Sequence, residues 1–313
     1  MRTKIITVLL LLAVLNMSLV FAASASQPYE QSKGGFNVQS TEMLKGKPSS
    51  PKPPHGDIAT GIVSAPTGKR YAIVIGISDY AGSTNDLQYC DDDAREFNDA
   101  LLANGWKNSQ ITLLIDGDAT RTKILDAITL ISRVAKTEDE VVFFYSGHGT
   151  ISYSDVDGDG EKRDECIIPV ELSTGTFIWD GELKTAFAEC QSQRMMFYFD
   201  SCYSGGMTDL AGPGRLILMA CGENQLSLES SAWQNGQFTY YFVDQGMSTG
   251  SADANGDSKV TFEEAFDFAK TNCQDSHQSQ AMDSHLICCH SSLFLFSIFA
   301  CCIYWTFKST SQK

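Results

Sequence analysis

Short apolar runs recur along residues 70–285 and alternate with segments of helical periodicity. The runs are rich in β-branched and aromatic residues and do not alternate with polar ones, which is typical of strands buried on both faces. Between them, residues 91–104 and 120–135 place apolar side chains on one helical face, and Thr120 suits the N-cap of the second helix. The runs span residues 71–77, 111–115, 141–145, 195–199 and 216–220. This order predicts an α/β domain, an α/β/α sandwich of three layers with a mainly parallel central sheet.

The segments before this domain differ in composition. A basic start, an apolar stretch and the small residues Ala23-Ser24-Ala25 predict a cleaved signal peptide over residues 1–25, with an uncleaved anchor as the alternative. Residues 26–69 lack apolar periodicity and contain paired glycines and a Pro-rich stretch. Such a segment buries too little surface to fold, so we predict a disordered linker or pro-segment.

The C-terminal region predicts a membrane anchor. Residues 286–307 contain no Asp, Glu, Lys or Arg and are long enough to span a bilayer as a helix, and residues 308–313 form a short basic tail. A misread terminus is the alternative, since this span is poor in leucine. Together with the signal peptide, the pattern predicts an extracellular or cell-surface protein that is held at the membrane if the span is a true anchor.

The charge balance limits the partners. The chain has 313 residues, with 23 Lys and Arg against 38 Asp and Glu, which gives a formal net charge of −15. A chain this acidic is poorly suited to nucleic acid, whose phosphates repel it, and better suited to Ca²⁺ or basic peptide segments.

Two strand ends carry residues suited to nucleophilic catalysis. The third apolar run leads into Ser146-Gly147-His148-Gly149, and the fourth leads into residues 200–206, which include Cys202. A histidine and a cysteine at adjacent strand ends form a base and a nucleophile, because a near-neutral imidazole assists formation of the thiolate. Either residue alone is more often part of the core or scaffold. The two together, each among Gly and Ser, favour catalysis.

Four phrases resemble a known family. They are YAIVIGISDY at residues 71–80, LQYCDDDA at 87–94, FYSGHGT at 144–150 and DSCYSGG at 200–206. They look like the landmarks of the caspase-like cysteine peptidases of family C14, closest to the metacaspases and their prokaryotic relatives. The QACxG pentapeptide of animal caspases is absent, although His148 precedes Cys202 by the roughly 50 residues usual for caspases. The resemblance implies a caspase-like sandwich over nearly all of residues 70–283.

The resemblance also implies roles for individual residues. Cys202 would be the nucleophile, His148 the base and later the proton donor, and the backbone N–H groups of Gly149 and Cys202 the oxyanion hole. Asp200 and Asp93 would line the S1 pocket, where two carboxylates prefer Arg or Lys before the cut. The alternatives are a strand-end acid facing water for Asp200 and a first-turn acid complementing the helix dipole for Asp93.

Residues 253–264 follow the template of an EF-hand calcium loop. The glycine usual at position six is replaced by Ser258, which relaxes the turn, and no clear entering helix precedes the loop. An acidic loop without calcium is the alternative. The candidate ligands are Asp253, Asn255, Asp257, Lys259 through its backbone carbonyl, Thr261 and Glu264.

A second acidic stretch, residues 155–165, begins like a calcium loop but has Cys166 at the twelfth position. An exposed loop and a formed site are equally compatible with this pattern. The resemblance to metacaspases implies a low-affinity activating calcium site, and Asp164, Asp180 and Asp209 occupy comparable places in this chain.

Two dibasic pairs are candidate sites of self-cleavage, after Arg70 at the end of the linker and after Arg163 between His148 and Cys202. Ordinary solvated charges are the alternative. The sequence as a whole predicts a calcium-dependent cysteine endopeptidase that acts on protein or peptide substrates with basic residues. A catalytically silent calcium-binding module that binds a partner protein is the rival, and peptide ligation is a second enzymatic possibility.

Overall fold

A central sheet of six strands runs through the part of the chain described by the computed structural model, which comprises residues 57–58, 67–273 and 283–287. Five neighbouring strands are parallel, and the strand at one edge is antiparallel to them. In spatial order the strands are β13 (Asp283–Ile287), β9 (Arg215–Met219), β8 (Met195–Asp200), β4 (Glu140–Ser146), β2 (Arg70–Gly76) and β3 (Ile111–Ile115). The prediction of a mainly parallel sheet is confirmed.

Helices cover both faces of this sheet. They are α1 (Cys90–Ala103), α2 (Arg121–Val134), α3 (Asp180–Ala186), α4 (Gln237–Thr239), which continues as the π-helix Tyr240–Ser248, and α5 (Phe262–Asn272). Successive strand residues point to opposite faces. In β4, Phe144 stacks on Phe97 of α1 with ring centroids 4.5 Å apart, whereas its neighbour Phe143 packs against Phe187 on the other face at 5.7 Å. The three-layer α/β/α sandwich is therefore confirmed.

The two predicted helices are present. The predicted segment 91–104 becomes α1, and α2 begins directly after Thr120, whose side-chain oxygen accepts a hydrogen bond from the Lys123 backbone N–H at 3.3 Å. The face of α2 that carries Ile124, Ile128 and Ile131 is buried, as its periodicity predicts.

Two small antiparallel elements border the carboxyl ends of the parallel strands and were not predicted. One is a three-stranded sheet of β5 (Gly149–Ser152), β6 (Asp164–Ile167) and β7 (Ile178–Trp179). The other is a hairpin of β10 (Glu229–Ser230) and β11 (Asn235–Gly236). Their strands are too short to show a recognisable alternation of polar and apolar residues.

Parts of the predicted linker lie among the described residues. Within the predicted disordered linker 26–69, Asp57–Ile58 forms strand β1, which pairs in parallel with β12 (Lys259–Val260). The Lys69 backbone N–H also donates to the Asp139 carboxylate at 2.6 Å. The predicted signal peptide 1–25 and the rest of the linker up to residue 66 lie outside the described residues.

The predicted transmembrane segment 286–307 is described only at its beginning. Leu286 and Ile287 belong to strand β13, opposite Leu216 and Arg215 of β9, and residues 288–313, including the basic tail 308–313, lie outside the described residues. Among the residues that the structure describes, no helix is long and apolar enough to cross a membrane.

Candidate active site

Neighbouring strands bring His148 and Cys202 to the same edge of the sheet. β4 and β8 are parallel partners in which Ser146 lies opposite Asp200, and each candidate residue follows its strand end by two positions. Both residues line one cleft. The remaining lining residues are Leu87, Cys90, Ser146, Gly147, Asp200, Ser201, Ser227, Leu228, Glu229 and Gly236.

One backbone carbonyl and two tyrosine hydroxyl groups fix the orientation of His148. Its Nε2 lies 2.8 Å from the Asn85 carbonyl oxygen, its backbone N–H donates to the Tyr80 hydroxyl at 2.8 Å, and its carbonyl accepts from the Tyr145 hydroxyl at 2.6 Å. A carbonyl only accepts, so Nε2 carries the proton in this contact. Burial lowers the pKa of His148 below its usual value, which favours the neutral ring. A neutral imidazole protonated at Nε2 has a free lone pair at Nδ1.

The Cys202 thiol is protonated in this arrangement. Burial, and to a smaller extent the neighbouring Cys221, raises the pKa of Cys202 to about 12. Its Sγ–H donates weakly to the Ser227 carbonyl oxygen, 3.9 Å away. The free site therefore pairs a neutral thiol with a neutral imidazole.

This protonation state predicts how alkylation of Cys202 depends on pH. The thiolate is the reactive form, so the rate at which iodoacetamide alkylates Cys202 should keep rising up to about pH 10. The rate for a cysteine with the usual pKa of about 8.5 should become constant at a lower pH. Peptide mapping by mass spectrometry gives the rate at Cys202, and a short cysteine peptide serves as the control. A rate at Cys202 that is already constant between about pH 6 and 8 would contradict a neutral thiol and imidazole.

Close packing holds together the two loops that carry His148 and Cys202. A Cβ atom on Gly149 would lie 2.3 Å from the Cys202 carbonyl oxygen, so only glycine allows β5 to start this close to the cysteine. After Cys202 the chain turns sharply at Tyr203, whose φ is +61°, and the Tyr203 backbone N–H donates to the Gln225 carbonyl at 2.8 Å. The predicted oxyanion donors, Gly149 and Cys202, thus belong to adjoining backbone segments.

The two predicted S1 acids lie next to each other but are not equally placed. Asp200 lines the cleft, whereas Asp93 has no exposed surface and contacts the cleft through the Ser146 hydroxyl, which donates to it at 2.7 Å. Both acids lie against Gly236, where a Cβ atom would be 2.4 Å from Asp200 Oδ2 and 3.1 Å from Asp93 Oδ2. Burial raises the pKa of both carboxyl groups, and for Asp93 the charge of Asp200 raises it further.

Two residues of the cleft wall were missed from the sequence. Ser227 accepts from the Cys202 thiol through its carbonyl and donates its hydroxyl to Asp200 at 2.5 Å. Glu229 accepts from the backbone N–H groups of Gln88 and Tyr89, each at 3.1 Å. One signal was available for Glu229, since it is the only charged residue between positions 224 and 235.

The predicted activating calcium ligands divide between two acidic groups. Asp164 lies with Asp155, Asp157 and Asp159, and their oxygens are within 4.8 Å of one another. Asp209 lies with Asp159 and Glu161. It also forms an ion pair with Lys184 at 3.0 Å. Asp180 belongs to neither group, and burial raises its pKa to about 8. Among the described residues, the three predicted ligands therefore do not form one cluster by themselves, and Asp159 links the two groups.

The EF-hand-like loop has a helix on each side. The π-helix Tyr240–Ser248 precedes it, where no entering helix was predicted, and α5 follows it. Asp253 accepts from the backbone N–H groups of Gly256 at 2.8 Å and Ser258 at 2.9 Å. Ser258 has a φ of +67°, so the position usually held by glycine is left-handed here despite its side chain.

The other candidate ligands of this loop contact one another. Glu264 accepts from the Thr261 backbone N–H and from the Asn255 amide, both at 2.9 Å, and Asp257 accepts from the Lys259 backbone N–H at 2.9 Å. Thr261 and Glu264 also form the capping box of α5, so the sequence pattern serves helix initiation as well.

Both predicted self-cleavage positions directly precede or begin strands. Arg70 is the first residue of β2, and its guanidinium donates to the Gly105 carbonyl at 2.7 Å. Arg163 precedes β6, pairs with Glu223 at 2.9 Å and lies over the Tyr153 ring. Cleavage after either arginine would require the adjoining strand end to open.

The fold has a counterpart among solved structures. A crystal structure of a Geobacter sulfurreducens protein matches 72% of this chain and 95% of its own, with a TM-score of 0.55 and 19% identity. At this identity the match supports the shared α/β sandwich only.

Comparisons of sequence show similarity to metacaspases. Residues 70–211 match the family model described as the metacaspase, peptidase C14 domain. The chain is 32% identical to Metacaspase-1 of Candida albicans over 200 residues, which cover 58% of this chain and 44% of that protein. It is 31% identical to Metacaspase-1A of Aspergillus niger over 209 residues, 60% of this chain and 51% of that protein. The chain thus matches about half the length of these relatives. Residues 70–211 are therefore similar to the metacaspase, peptidase C14 domain, in agreement with the resemblance of the motifs.

Proposed function

We propose that this protein is a cysteine endopeptidase in which Cys202 and His148 form the catalytic pair and which cuts after arginine or lysine. The observation that carries the proposal is the convergence of both side chains on one cleft at the ends of neighbouring parallel strands. The match of residues 70–211 to the metacaspase, peptidase C14 model supports it.

The protonation states suggest how the reaction begins. With Nε2–H held by the Asn85 carbonyl, His148 presents Nδ1 as the base. When a substrate carbonyl displaces the Ser227 contact, the Cys202 proton passes to Nδ1, and the thiolate attacks the carbonyl carbon to form a C–S bond. The oxyanion would accept from the backbone N–H groups of Gly149 and Cys202.

The same histidine completes the cycle. The imidazolium of His148 returns the proton to the departing amine as the C–N bond breaks, which leaves an acyl-enzyme on Cys202. His148 then removes a proton from water, which attacks the thioester and releases the acid product and the thiol. Its fixed backbone contacts keep the ring in place through both half-reactions.

Calcium is part of the proposal. Four carboxylates fit a calcium ion in their chemistry, those of Asp155, Asp157, Asp159 and Asp164. Their oxygens lie within 4.8 Å of one another. None of the four forms an ion pair with Lys or Arg in the described domain. The Asp253–Glu264 loop offers a second oxygen-rich set. When bound, the ion would neutralise mutual repulsion in these loops. A location outside the cell, which residues 1–25 predict, would suit such weak sites, since extracellular modules bind calcium at ~10⁻⁴–10⁻³ M.

The proposal is tested with reporter peptides that are identical except for Arg, Lys or Asp before the cut. The full-length chain is incubated with each, in calcium and in chelator. We expect cleavage of the Arg and Lys reporters in calcium only. Calcium binding without cleavage of any reporter would favour the silent module, equal activity in chelator would remove calcium from the account, and preferred cleavage after Asp would contradict the proposed specificity.

A further inference from the structure

Glu229 lines the cleft that holds Cys202 and His148. The residue starts strand β10, where it is paired with Gly236 of β11, and Gly236 also lines the cleft. The site roles inferred from the sequence do not include Glu229.

The two predicted S1 acids accept hydrogen bonds from hydroxyl groups as well as from backbone N–H groups. Asp200 accepts from the Ser227 hydroxyl at 2.5 Å and from the Thr239 hydroxyl and backbone N–H at 2.8 and 3.0 Å. Asp93 accepts from the Ser146 hydroxyl at 2.7 Å and the Gly236 backbone N–H at 3.1 Å, and does not line the cleft. Because two buried carboxylates this close repel each other, the pair does not readily carry two full charges.

Glu229 is placed differently. Its two oxygens accept only backbone N–H groups, those of Gln88 and Tyr89 just before α1, where the positive end of the helix dipole favours a carboxylate. Burial raises the pKa of Glu229, and these two N–H groups counteract that shift. Among the ion pairs of the described domain none includes Glu229. The cleft is therefore lined by a half-buried glutamate whose carboxylate is fixed and forms no ion pair with Lys or Arg in the described domain.

We propose that Glu229 is a specificity-determining residue, whose carboxylate faces the guanidinium or ammonium group of a basic residue before the cut. Asp200 then stabilises the cleft wall through Ser227 and Thr239, and Asp93 does so through Gly236. Because these two carboxylates repel each other, together they carry less than two full negative charges. This inference rests on the proposed peptidase function.

The test compares Glu229→Gln with a matched control, Glu171→Gln. Glu171 makes the same kind of contact, since its carboxylate accepts from the Arg121 backbone N–H at the start of α2 at 3.1 and 3.2 Å, but it does not line the cleft. Two reporters, identical except for arginine or its uncharged analogue citrulline before the cut, separate the effect of charge from that of shape.

We expect Glu229→Gln to lower the arginine-to-citrulline ratio of kcat/KM by about tenfold to a hundredfold, mainly through KM for arginine, as expected for loss of a charge-assisted contact. Glu171→Gln should leave this ratio unchanged. An unchanged ratio in Glu229→Gln, or an equal loss for both reporters, would overturn the inference and leave Glu229 with a structural role.

A binding measurement distinguishes failure of this inference from failure of the proposed function. If the wild-type chain cleaves neither reporter, the peptidase proposal fails. Calorimetry of the Cys202→Ala chain with a peptide that ends in arginine then still tests whether Glu229 contacts the basic residue. If Glu229→Gln is added to this chain and weakens binding of the arginine peptide but not of the citrulline peptide, the charge contact is supported. Unchanged binding of the arginine peptide, or no binding at all, overturns it.

Discussion

Replacement of Cys202 by alanine is expected to lower hydrolysis of the arginine reporter by roughly 10⁴-fold or more, to the level of the uncatalysed reaction. The reason is that Cys202, just after the end of β8, lines the same cleft as His148, and alanine cannot form the acyl-enzyme. Initial rates with purified chains measure the effect, with thermal unfolding as a check that the variant folds.

Cys221→Ala is the matched control for this change. Cys221 is buried next to the same loop, with its Sγ 3.4 Å from the Ser201 carbonyl and 3.6 Å from the Ser204 hydroxyl, but it does not line the cleft. We expect it to change stability more than kcat. If Cys202→Ala kept wild-type activity, or if Cys221→Ala alone abolished it in a folded chain, Cys202 would not be the nucleophile.

Replacement of His148 by alanine is expected to reduce kcat by roughly 10²–10⁴-fold, the usual contribution of a general acid and base. Added imidazole should restore part of the lost rate, because a free base can enter the space that the side chain leaves. The rate is measured with and without imidazole at several pH values, so that the restored activity reports the pKa of the added base.

Tyr80→Phe separates the base itself from its support. It removes the hydroxyl that accepts the His148 backbone N–H but keeps the imidazole, and the ring contact at 4.7 Å can persist. The loss of one such hydrogen bond is about 1 kcal/mol, so its kcat should fall about tenfold at most and should not respond to imidazole. Equal losses in both variants, without rescue of His148→Ala, would assign His148 a structural role.

The sequence predicted the sheet well because its strands are buried on both faces. Runs such as residues 141–145 have few polar positions, and the structure makes them parallel strands with both faces covered. The positions of His148 and Cys202 followed from the same pattern, since parallel strands place their carboxyl ends along one edge.

The helical segment Tyr240–Ser248 was missed for a physical reason. Its start, Tyr240 to Val243, is aromatic and β-branched, which favours a strand by local propensity. Tertiary packing of Phe242 between Tyr198 and Phe262 determines a helix instead, with ring centroids 4.9 and 6.2 Å away. Such contacts are not visible in the local sequence.

The cleft wall was predicted only in part. The position of Asp93 behind the cleft agrees with the helical period, because Asp93 and Phe97 are four residues apart on the buried face of α1. The contact between Gln88 and Glu229 joins residues 141 positions apart, in a loop without periodicity. No local pattern predicts such a pairing, so the position of Glu229 in the cleft was found only in the structure.

The most direct test of the account is covalent labelling by a peptide that ends in an arginine acyloxymethyl ketone, which alkylates a thiol only after the arginine is bound next to it. The full-length chain is treated in calcium, digested and mapped by mass spectrometry. The account predicts one adduct, on Cys202, that is lost in His148→Ala and is not formed by the matching aspartate ketone. Absence of an adduct on Cys202, or equal labelling by the aspartate ketone, would contradict it.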